Sequence, residues 1–175
     1  MRRDSDLCIR RLERADLAAA LALQAQCYPA FLREDEAAFA SRLDAAAPYC
    51  LAATVDGALA GYLLAHGWPG GSPPEIATIL PWDAPSEVLY IHDLAVGAAG
   101  RGIGLGRRLV ARAFEMAAGD GLRVAELIAV AGAARYWRGL GFAEAEMSPA
   151  LARKVGTYGA QACWMRRTVE PGTRL

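Results

Sequence analysis

The sequence predicts a fold of the α/β (α+β) class, in which strands and helices alternate along one chain. Short apolar runs of strand length alternate with longer segments whose apolar residues recur at helical spacing. Asp56-Gly57 lies between two strand-like runs, as in a two-residue hairpin. A strand at residues 88–96 leads through a glycine-rich turn directly into a helix. Together these three observations indicate a sheet that carries packed helices.

The first quarter of the chain predicts one strand and two helices. Residues 8–12 have the composition of a short strand. Asp16 is a candidate N-cap for an alanine- and leucine-rich helix that ends near Cys27, before Pro29. Residues 31–44 predict a second helix, because apolar residues recur there at helical spacing.

The rest of the chain predicts a hairpin, a long irregular segment and a second set of alternating elements. Residues 67–85 contain five prolines and three glycines and are expected to lack regular structure. The helix after the glycine-rich turn has Leu105, Leu109, Ala113 and Ala117 on one stripe. Strands are predicted at 49–55, 58–66, 88–96, 126–130 and 161–169, a short helix at 133–140, and a loose tail at 170–175.

Length and charge indicate one globular domain. A chain of 175 residues is expected to form a single domain over 1–175, with its core at about 8–169, burying roughly two thirds of its unfolded surface. Nineteen basic residues balance nineteen acidic ones, and no run of Lys or Arg exceeds two. Neither feature predicts a nucleic-acid partner.

Cysteine usage and hydropathy bear on metals and on compartment. The four cysteines are widely spaced, form no Cys-x-x-Cys pair and are joined by only two histidines, so no metal site is expected. The longest apolar run, residues 58–65, is too short to span a bilayer, and no apolar stretch of signal-peptide length follows Met1. We therefore expect a cytoplasmic protein with free thiols and no membrane association.

The run from Arg101 to Arg107 predicts a phosphate-binding turn. The unpaired N–H groups of a helix's first turn and the positive end of its dipole suit a pyrophosphate. Glycines allow phosphate oxygens to approach the main chain, and arginines add positive charge. The residues of this turn expected to bind cofactor are Arg101, Gly102, Ile103, Gly104, Leu105, Gly106 and Arg107.

The glycine spacing excludes two common phosphate motifs and matches a third. A dinucleotide fingerprint starting at Gly102 would need glycine where Arg107 stands, and a P-loop would need Lys followed by Ser or Thr after Gly106. The pattern that remains, Arg-x-x-Gly-x-Gly at Arg101, Gly104 and Gly106, resembles the acetyl-CoA signature of the GCN5-related N-acetyltransferases (GNAT). Residues 134–142, Ala-Arg-Tyr-Trp-Arg-Gly-Leu-Gly-Phe, look like the family's Phe-Tyr-x-x-Leu-Gly-Phe helix.

The resemblance covers about residues 8–169 and implies an architecture. It implies a mixed, mostly antiparallel sheet of about six or seven strands with helices on both faces. The two central strands, here 88–96 and 126–130, would be parallel and splayed, with the pantetheine arm of acetyl-CoA between them. The main chain of Leu94, Ala95 and Val96 would pair with pantetheine. Trp137, at the position of the family's tyrosine, is counted with the cofactor-binding residues.

The resemblance also implies an activity. The protein would be an N-acetyltransferase that moves an acetyl group from acetyl-CoA, without a metal, to a primary amine of a small molecule or peptide. Transfer would be direct, in a ternary complex, because the cysteines show no pattern of a partnered nucleophile. A homodimer is compatible with the sequence. The alternative is a non-catalytic acyl-CoA-binding regulatory module, which Trp137 in place of tyrosine favours.

His92 is the predicted general base. An unperturbed imidazole has a pKa of about 6.5 and accepts a proton near neutrality, and His92 lies two residues before the predicted pantetheine-binding end of its strand. Regular alternation would place it on one face with Tyr90 and Leu94, and Asp93 on the other, unless a bulge re-aims Asp93. The alternative is a buried histidine that is only hydrogen-bonded in the sheet.

The general acid and the acceptor site are less defined by the sequence. Indole has no usable acid group, and Tyr136 should face another direction on its helix. Tyr158 is therefore the predicted acid, with a packing role or protonation of the thiolate by water as alternatives. The acidic stretch 34–36 could attract a cationic amine, although a solvated helix start, where acids favour the dipole, is the preferred interpretation.

Overall fold

Seven strands, five α-helices and three short 3-10 helices make up the computed structural model, which describes residues 6–45 and 48–170. The strands are β1 (Leu7–Arg11), β2 (Leu51–Val55), β3 (Ala58–Trp68), β4 (Val88–Val96), β5 (Val124–Ala129), β6 (Ala143–Glu144) and β7 (Cys163–Thr168). The helices are α1 (Leu17–Cys27), α2 (Glu36–Leu43), α3 (Leu105–Gly119), α4 (Ala134–Gly139) and α5 (Pro149–Gly156).

The strands form one mixed sheet in the order β1-β2-β3-β4-β5-β7-β6. Every neighbouring pair is antiparallel except β4 and β5, which are parallel. The parallel pairing covers only Leu89 to Ile91 against Ala125 to Leu127, and the two strands then continue unpaired with each other. The predicted fold class and its splayed central pair are confirmed.

Helices cover both faces of the sheet. On one face α3 presents Leu105, Leu109 and Ala113 to the strands, in a core that also includes Trp137 and Leu140 of the α4 region. On the other face α1 and α2 pack against β2 and β3. There α5 packs against Tyr90 and Trp164. Among the described helices, none has the length and hydropathy needed to cross a membrane.

Local sequence signals explain most element boundaries. Asp56 and Gly57 have φ of 50° and 81°, as a tight hairpin turn requires, and β2 and β3 flank them. The predicted α3 stripe of Leu105, Leu109 and Ala113 is buried. The chain from residue 69 to residue 87 contains neither helix nor strand, as its prolines indicate.

Two predictions about helix ends need correction, and one helix was not predicted. The second helix begins at Glu36 and not near residue 31, because Asp35 caps it by accepting from the N–H of Ala38 at 2.8 Å. Asp16 precedes α1, but its carboxylate accepts from Arg10 and from the N–H of Glu13 instead of capping α1. The sequence prediction missed α5, although Ser148, its N-cap, is followed directly by proline. Residues 171–175 of the predicted tail lie outside the described residues.

Candidate active site

A cleft of about 920 Å³ opens where β4 and β5 part. Its walls come from the start of α3, from α4, from the segment between α1 and α2, and from the residues around Ile76 and Tyr158. Eleven of the predicted site residues line it: His92, Leu94, Val96, Arg101, Gly102, Gly104, Leu105, Gly106, Arg107, Trp137 and Tyr158. The side chains of Ala95, buried, and Ile103, half exposed, lie outside the cleft lining, but their predicted roles belong to the main chain.

The start of α3 forms the anion-attracting end of the cleft. Gly102 and Gly104 have φ of 77° and 73°, a left-handed conformation that favours glycine. Gly104 is the N-cap, so the next N–H groups have no acceptor within the helix. Exposed Arg101 and Arg107 flank this turn and contact the carbonyls of Val96 and Gly139 only at 3.4 and 3.5 Å. The free N–H donors of α3, the positive end of its dipole and the two arginine charges therefore lie together at this end of the cleft.

Tyr136 closes over the first turn of α3, which the sequence prediction missed. Its hydroxyl lies so close to Gly106 that a Cβ at that position would collide with it. Trp137 is buried, with its ring centroid 5.4 Å from that of Phe142. Both residues line the cleft, but they face different neighbours, as expected: Trp137 is buried against Phe142, whereas Tyr136 is partly exposed and meets α3.

A β-bulge in β4 sets the direction of the catalytic candidates. Leu64 of β3 is opposite Asp93 and Ala65 is opposite Ile91, so His92 is the extra residue. Leu94 consequently packs with the core under α3, whereas Asp93 and His92 contact residues on the α1–α2 side. The predicted grouping of His92 with Leu94 is therefore wrong, and Asp93 is re-aimed, as the bulge alternative allowed.

His92 is buried among charged and aromatic side chains, with 5% of its side chain exposed. Its Nε2 contacts Glu34 Oε1, and the Arg42 guanidinium is 3.5 Å from the same nitrogen. The rings of Tyr90 and His66 lie 5.9 and 6.1 Å from its own, between centroids. Nδ1 is buried and has no hydrogen-bond partner among the described residues.

Glu34 is not a solvated helix start, contrary to the preferred interpretation of the acidic stretch. Its side chain is 2% exposed, whereas Asp35 and Glu36 are exposed. Oε1 accepts from Arg42 at 2.9 Å, and Oε2 accepts from the N–H of Ala77 at 2.7 Å. Burial by itself raises the pKa of Glu34. The hydrogen bond with His92 and the positive charges of His92 and Arg42 outweigh burial and lower the pKa.

Asp93 is a second buried carboxyl group beside His92. Tyr62 donates its hydroxyl hydrogen bond to Oδ2, and Oδ1 has no partner among the described residues. Burial raises the pKa of Asp93, and the hydrogen bonds only partly oppose this effect. The neighbouring Tyr28 donates to the carbonyl of Leu94 at 2.7 Å. Asp93 therefore combines a tyrosine-bonded oxygen with one that remains unsatisfied.

Tyr158 lines the same cleft as His92 from the side of α5. Its hydroxyl donates to the carbonyl of Pro74 at 3.2 Å, which ties it to the irregular segment between β3 and β4. Burial raises the pKa of Tyr158 to about 12, so the phenol keeps its proton near neutral pH. The geometry brings this hydroxyl and His92 to one cleft, which neither sequence motif could establish.

The sequence profile of the acetyltransferase (GNAT) family matches residues 17–142 of this chain. The chain belongs to the GNAT family. The match spans α1 to Phe142 and thus contains the glycine-rich turn before α3, the bulge in β4, and α4. The resemblance that the glycine spacing indicated is thereby confirmed. No curated protein sequence matches the chain.

Solved structures share the GNAT fold at low sequence identity. The ribosomal-protein-S18-alanine N-acetyltransferase from Escherichia coli is 20% identical, with a TM-score of 0.70 over 97% of this chain and 99% of that one. A putative acetyltransferase from Salmonella typhimurium with acetyl-CoA is 19% identical, with a TM-score of 0.64 over 97% and 98%. The GNAT-like decarboxylase GphF, with isobutyryl-CoA, is also 19% identical, with a TM-score of 0.64 over 93% and 100%.

Proposed function

We propose that this protein transfers an acetyl group from acetyl-CoA to a primary amine, directly and in a ternary complex. One observation carries the proposal: the cleft that begins at the anion-attracting turn of α3 also contains His92, whose Nδ1 has no partner among the described residues. A phosphate site and a base in one cleft are the two parts that acetyl transfer from CoA requires.

The cleft offers a matching group for each part of acetyl-CoA. The first-turn N–H groups of α3, between Arg101 and Arg107, would hold the pyrophosphate. The end of β4 pairs with β3 but has no partner on its β5 side, and there the main chain of Leu94, Ala95 and Val96 would pair with the pantetheine arm. The carbonyl of Leu94 already accepts from Tyr28, but a carbonyl has two lone pairs and can accept a second bond. Trp137 and Tyr136 would bound the arm from α4.

The reaction needs one proton acceptor and one proton donor. The neutral amine attacks the thioester carbonyl, and a C–N bond forms as the C–S bond breaks. His92 removes the proton from the nitrogen, directly or through a water molecule. The leaving thiolate of CoA takes a proton from the Tyr158 hydroxyl or from water. The proton held by His92 then passes through water to the Tyr158 phenolate, or to the hydroxide left when water is the donor, so that both groups are restored and the products are the N-acetylated amine and free CoA.

The acceptor proposed is a small-molecule amine that carries an apolar group. Tyr28, Leu32 and Ile76 line the same cleft as His92, Asp93 and Glu34. Apolar and aromatic walls favour an apolar body next to the amine. A peptide N-terminus is the second candidate, because the E. coli neighbour is an N-acetyltransferase of alanine in a ribosomal protein.

We also propose a cytoplasmic location. The four cysteines, Cys8, Cys27, Cys50 and Cys163, are free thiols, which fits a reducing compartment. A homodimer remains compatible with the sequence.

The test is release of CoA thiol from acetyl-CoA across a panel of amines, amino acids and peptides. A His92→Gln variant should lose about a hundredfold or more in turnover while still being stabilised by acetyl-CoA. Unchanged turnover would remove His92 from the role of base. Stabilisation by acetyl-CoA without turnover on any acceptor would support the acyl-CoA-binding regulatory module instead.

A further inference from the structure

We infer that Glu34 is a positioning residue that holds the Nε2–H of His92, so that Nδ1 is the atom that takes the proton from the substrate. The inference rests on the proposed acetyl transfer for its kinetic consequence only. The assignment of the proton to Nε2 is a property of the protein without substrate. It is testable even if the acceptor remains unknown.

The contacts of the two ring nitrogens differ in kind. Nε2 meets a carboxylate oxygen of Glu34, which can only accept, and this contact is closer than the 3.5 Å to the Arg42 guanidinium, so we assign the hydrogen to this nitrogen. Nδ1 is buried, has no partner among the described residues and belongs to a side chain that lines the cleft. A nitrogen without a partner, on a side chain that lines the cleft, is the arrangement that a general base needs.

Glu34 is fixed from both sides, so it can orient the ring. Arg42, with no exposed side-chain surface, donates to Oε1, and the N–H of Ala77 donates to Oε2. Arg42 is itself held, since it donates to the carbonyls of Ala38, at 3.0 Å, and of Thr78. The irregular segment between β3 and β4 therefore takes part in the support of His92 through Ala77 and Thr78.

Several charged and titratable groups surround the His92 ring, and they determine how well it holds a proton. Glu34 favours the imidazolium form, and Arg42 beside it opposes that form. From the sheet, His66 of β3 and Tyr90 and Asp93 of β4 also surround the ring, and burial keeps His66 neutral and raises the pKa of Asp93. Glu34 is thus the carboxylate in direct contact with the ring that stabilises the proton once it is taken.

His66 supplies an internal reference, because the chain has only two histidines. Its Nδ1 lies 3.1 Å from the carbonyl oxygen of Gly67, so Nδ1 carries the hydrogen there. The two histidines are therefore expected to hold opposite tautomers. In a ¹⁵N-edited imidazole spectrum of the full-length protein above pH 7.5, one ring should show Nδ1–H and the other Nε2–H. A His66→Phe variant assigns the signals.

This spectrum decides the first half of the inference without any turnover. Nε2–H on His92 supports it, and Nδ1–H on His92 overturns it, whatever acceptor the protein uses. Failure of the proposed function would appear separately, as absence of acetyl transfer to any amine from a protein with the expected tautomers.

The second half is tested with Glu34→Gln against Glu36→Gln as the matched control, since Glu36 is exposed on the same segment. Glu34→Gln should lower kcat on the order of tenfold to a thousandfold and leave the KM for acetyl-CoA unchanged. The pH of half-maximal rate should move to lower pH, because the imidazolium loses its carboxylate. Glu36→Gln should match the wild type in kcat and in the pH of half-maximal rate.

A second variant distinguishes a loss of kcat from a failure to fold. Removal of Glu34 alone leaves Arg42 buried without its carboxylate, so Glu34→Gln/Arg42→Met removes both charges together. This double variant should fold, bind acetyl-CoA and still show the loss in kcat. A wild-type kcat and pH profile in either folded variant would overturn the inference.

Discussion

At the scale of single residues, three charged or titratable side chains lie together at the bulge of β4. Glu34, Arg42 and His92 each have 5% or less of the side chain exposed. Removing charges from water is costly, and only direct partners offset that cost. Their grouping beside a cleft, with one ring nitrogen free of partners among the described residues, is therefore better explained by a chemical role than by stability.

His66 should make the protein less stable in acid. Burial lowers the pKa of His66 to about 3, so the folded state binds fewer protons than the unfolded state between about pH 3 and 6.5. The stability that His66 contributes as a neutral group is present above pH 6.5 and is lost as the pH falls, by at most about 1.4 kcal/mol per pH unit.

Urea unfolding at pH 7.5 and pH 4.5 measures this loss in the wild type and in His66→Phe. The variant should lose about 2 kcal/mol less between the two pH values, because it has no imidazole to protonate on unfolding. Other groups titrate in both proteins and cancel. Equal losses would show that His66 is accessible to protons in the folded state.

Tyr158→Phe separates the two roles proposed for this residue. As an acid, Tyr158 should be needed for turnover, and kcat should fall by about ten- to a hundredfold. Loss of its hydrogen bond to Pro74 should lower the free energy of unfolding by only about 1 kcal/mol. Steady-state kinetics and urea unfolding provide both numbers.

Tyr49→Phe is the control, because the Tyr49 hydroxyl donates to Asp120 at 2.9 Å and does not line the cleft. It should cost similar stability without an effect on kcat. A Tyr158→Phe variant with wild-type kcat would leave water as the proton donor.

At the scale of elements, the turn before α3 depends on the absence of a side chain at Gly100. A Cβ there would collide with Leu105, and would lie 2.9 Å from Val96 Cγ1 and 3.1 Å from the carbonyl oxygen of Ala60. Gly100→Ala should therefore lower the free energy of unfolding by about 1–3 kcal/mol.

Gly119→Ala tests the same change where α3 ends and a Cβ would meet open space. It should be neutral or stabilising, since alanine favours helix more than glycine does. Urea unfolding compares the two variants, and equal midpoints would contradict the packing explanation.

At the scale of the whole molecule, acetyl-CoA should stabilise the fold by binding between the splayed strands β4 and β5. At a hundred times its dissociation constant, a ligand raises the free energy of unfolding by about 2.7 kcal/mol. For a domain of this size that corresponds to a rise in Tm of about 5–10 °C. ADP has the pyrophosphate but lacks the pantetheine arm, so it should give a much smaller shift.

Thermal unfolding with each ligand provides the comparison. Equal shifts with ADP and acetyl-CoA would mean that the turn before α3 binds nucleotides without help from β4. A shift with neither ligand would contradict the cleft as a CoA site.

The sequence alone was sufficient for the order of the elements other than β6 and α5, and for the glycine-rich turn before α3. Three local patterns carried these predictions: Asp56-Gly57, the stripe that begins at Leu105, and the spacing of Gly104 and Gly106. Each predicts a local structure, because backbone sterics and the periodicity of side chains act over a few residues. The glycine spacing also led to the family, whereas His92 was predicted from its imidazole and from its position near the end of the strand before the turn. Ser148 and the following proline could have located α5 in the same way.

Only the tertiary structure decided what surrounds His92. Glu34 is 58 residues away from it in the chain, and strand alternation does not foresee a bulge that turns His92 and Asp93 to one side. Tyr136 meets Gly106 because α4 docks beside α3. Such contacts depend on how distant elements pack, and burial then converts an apparently solvated carboxylate, Glu34, into the partner of a buried imidazole.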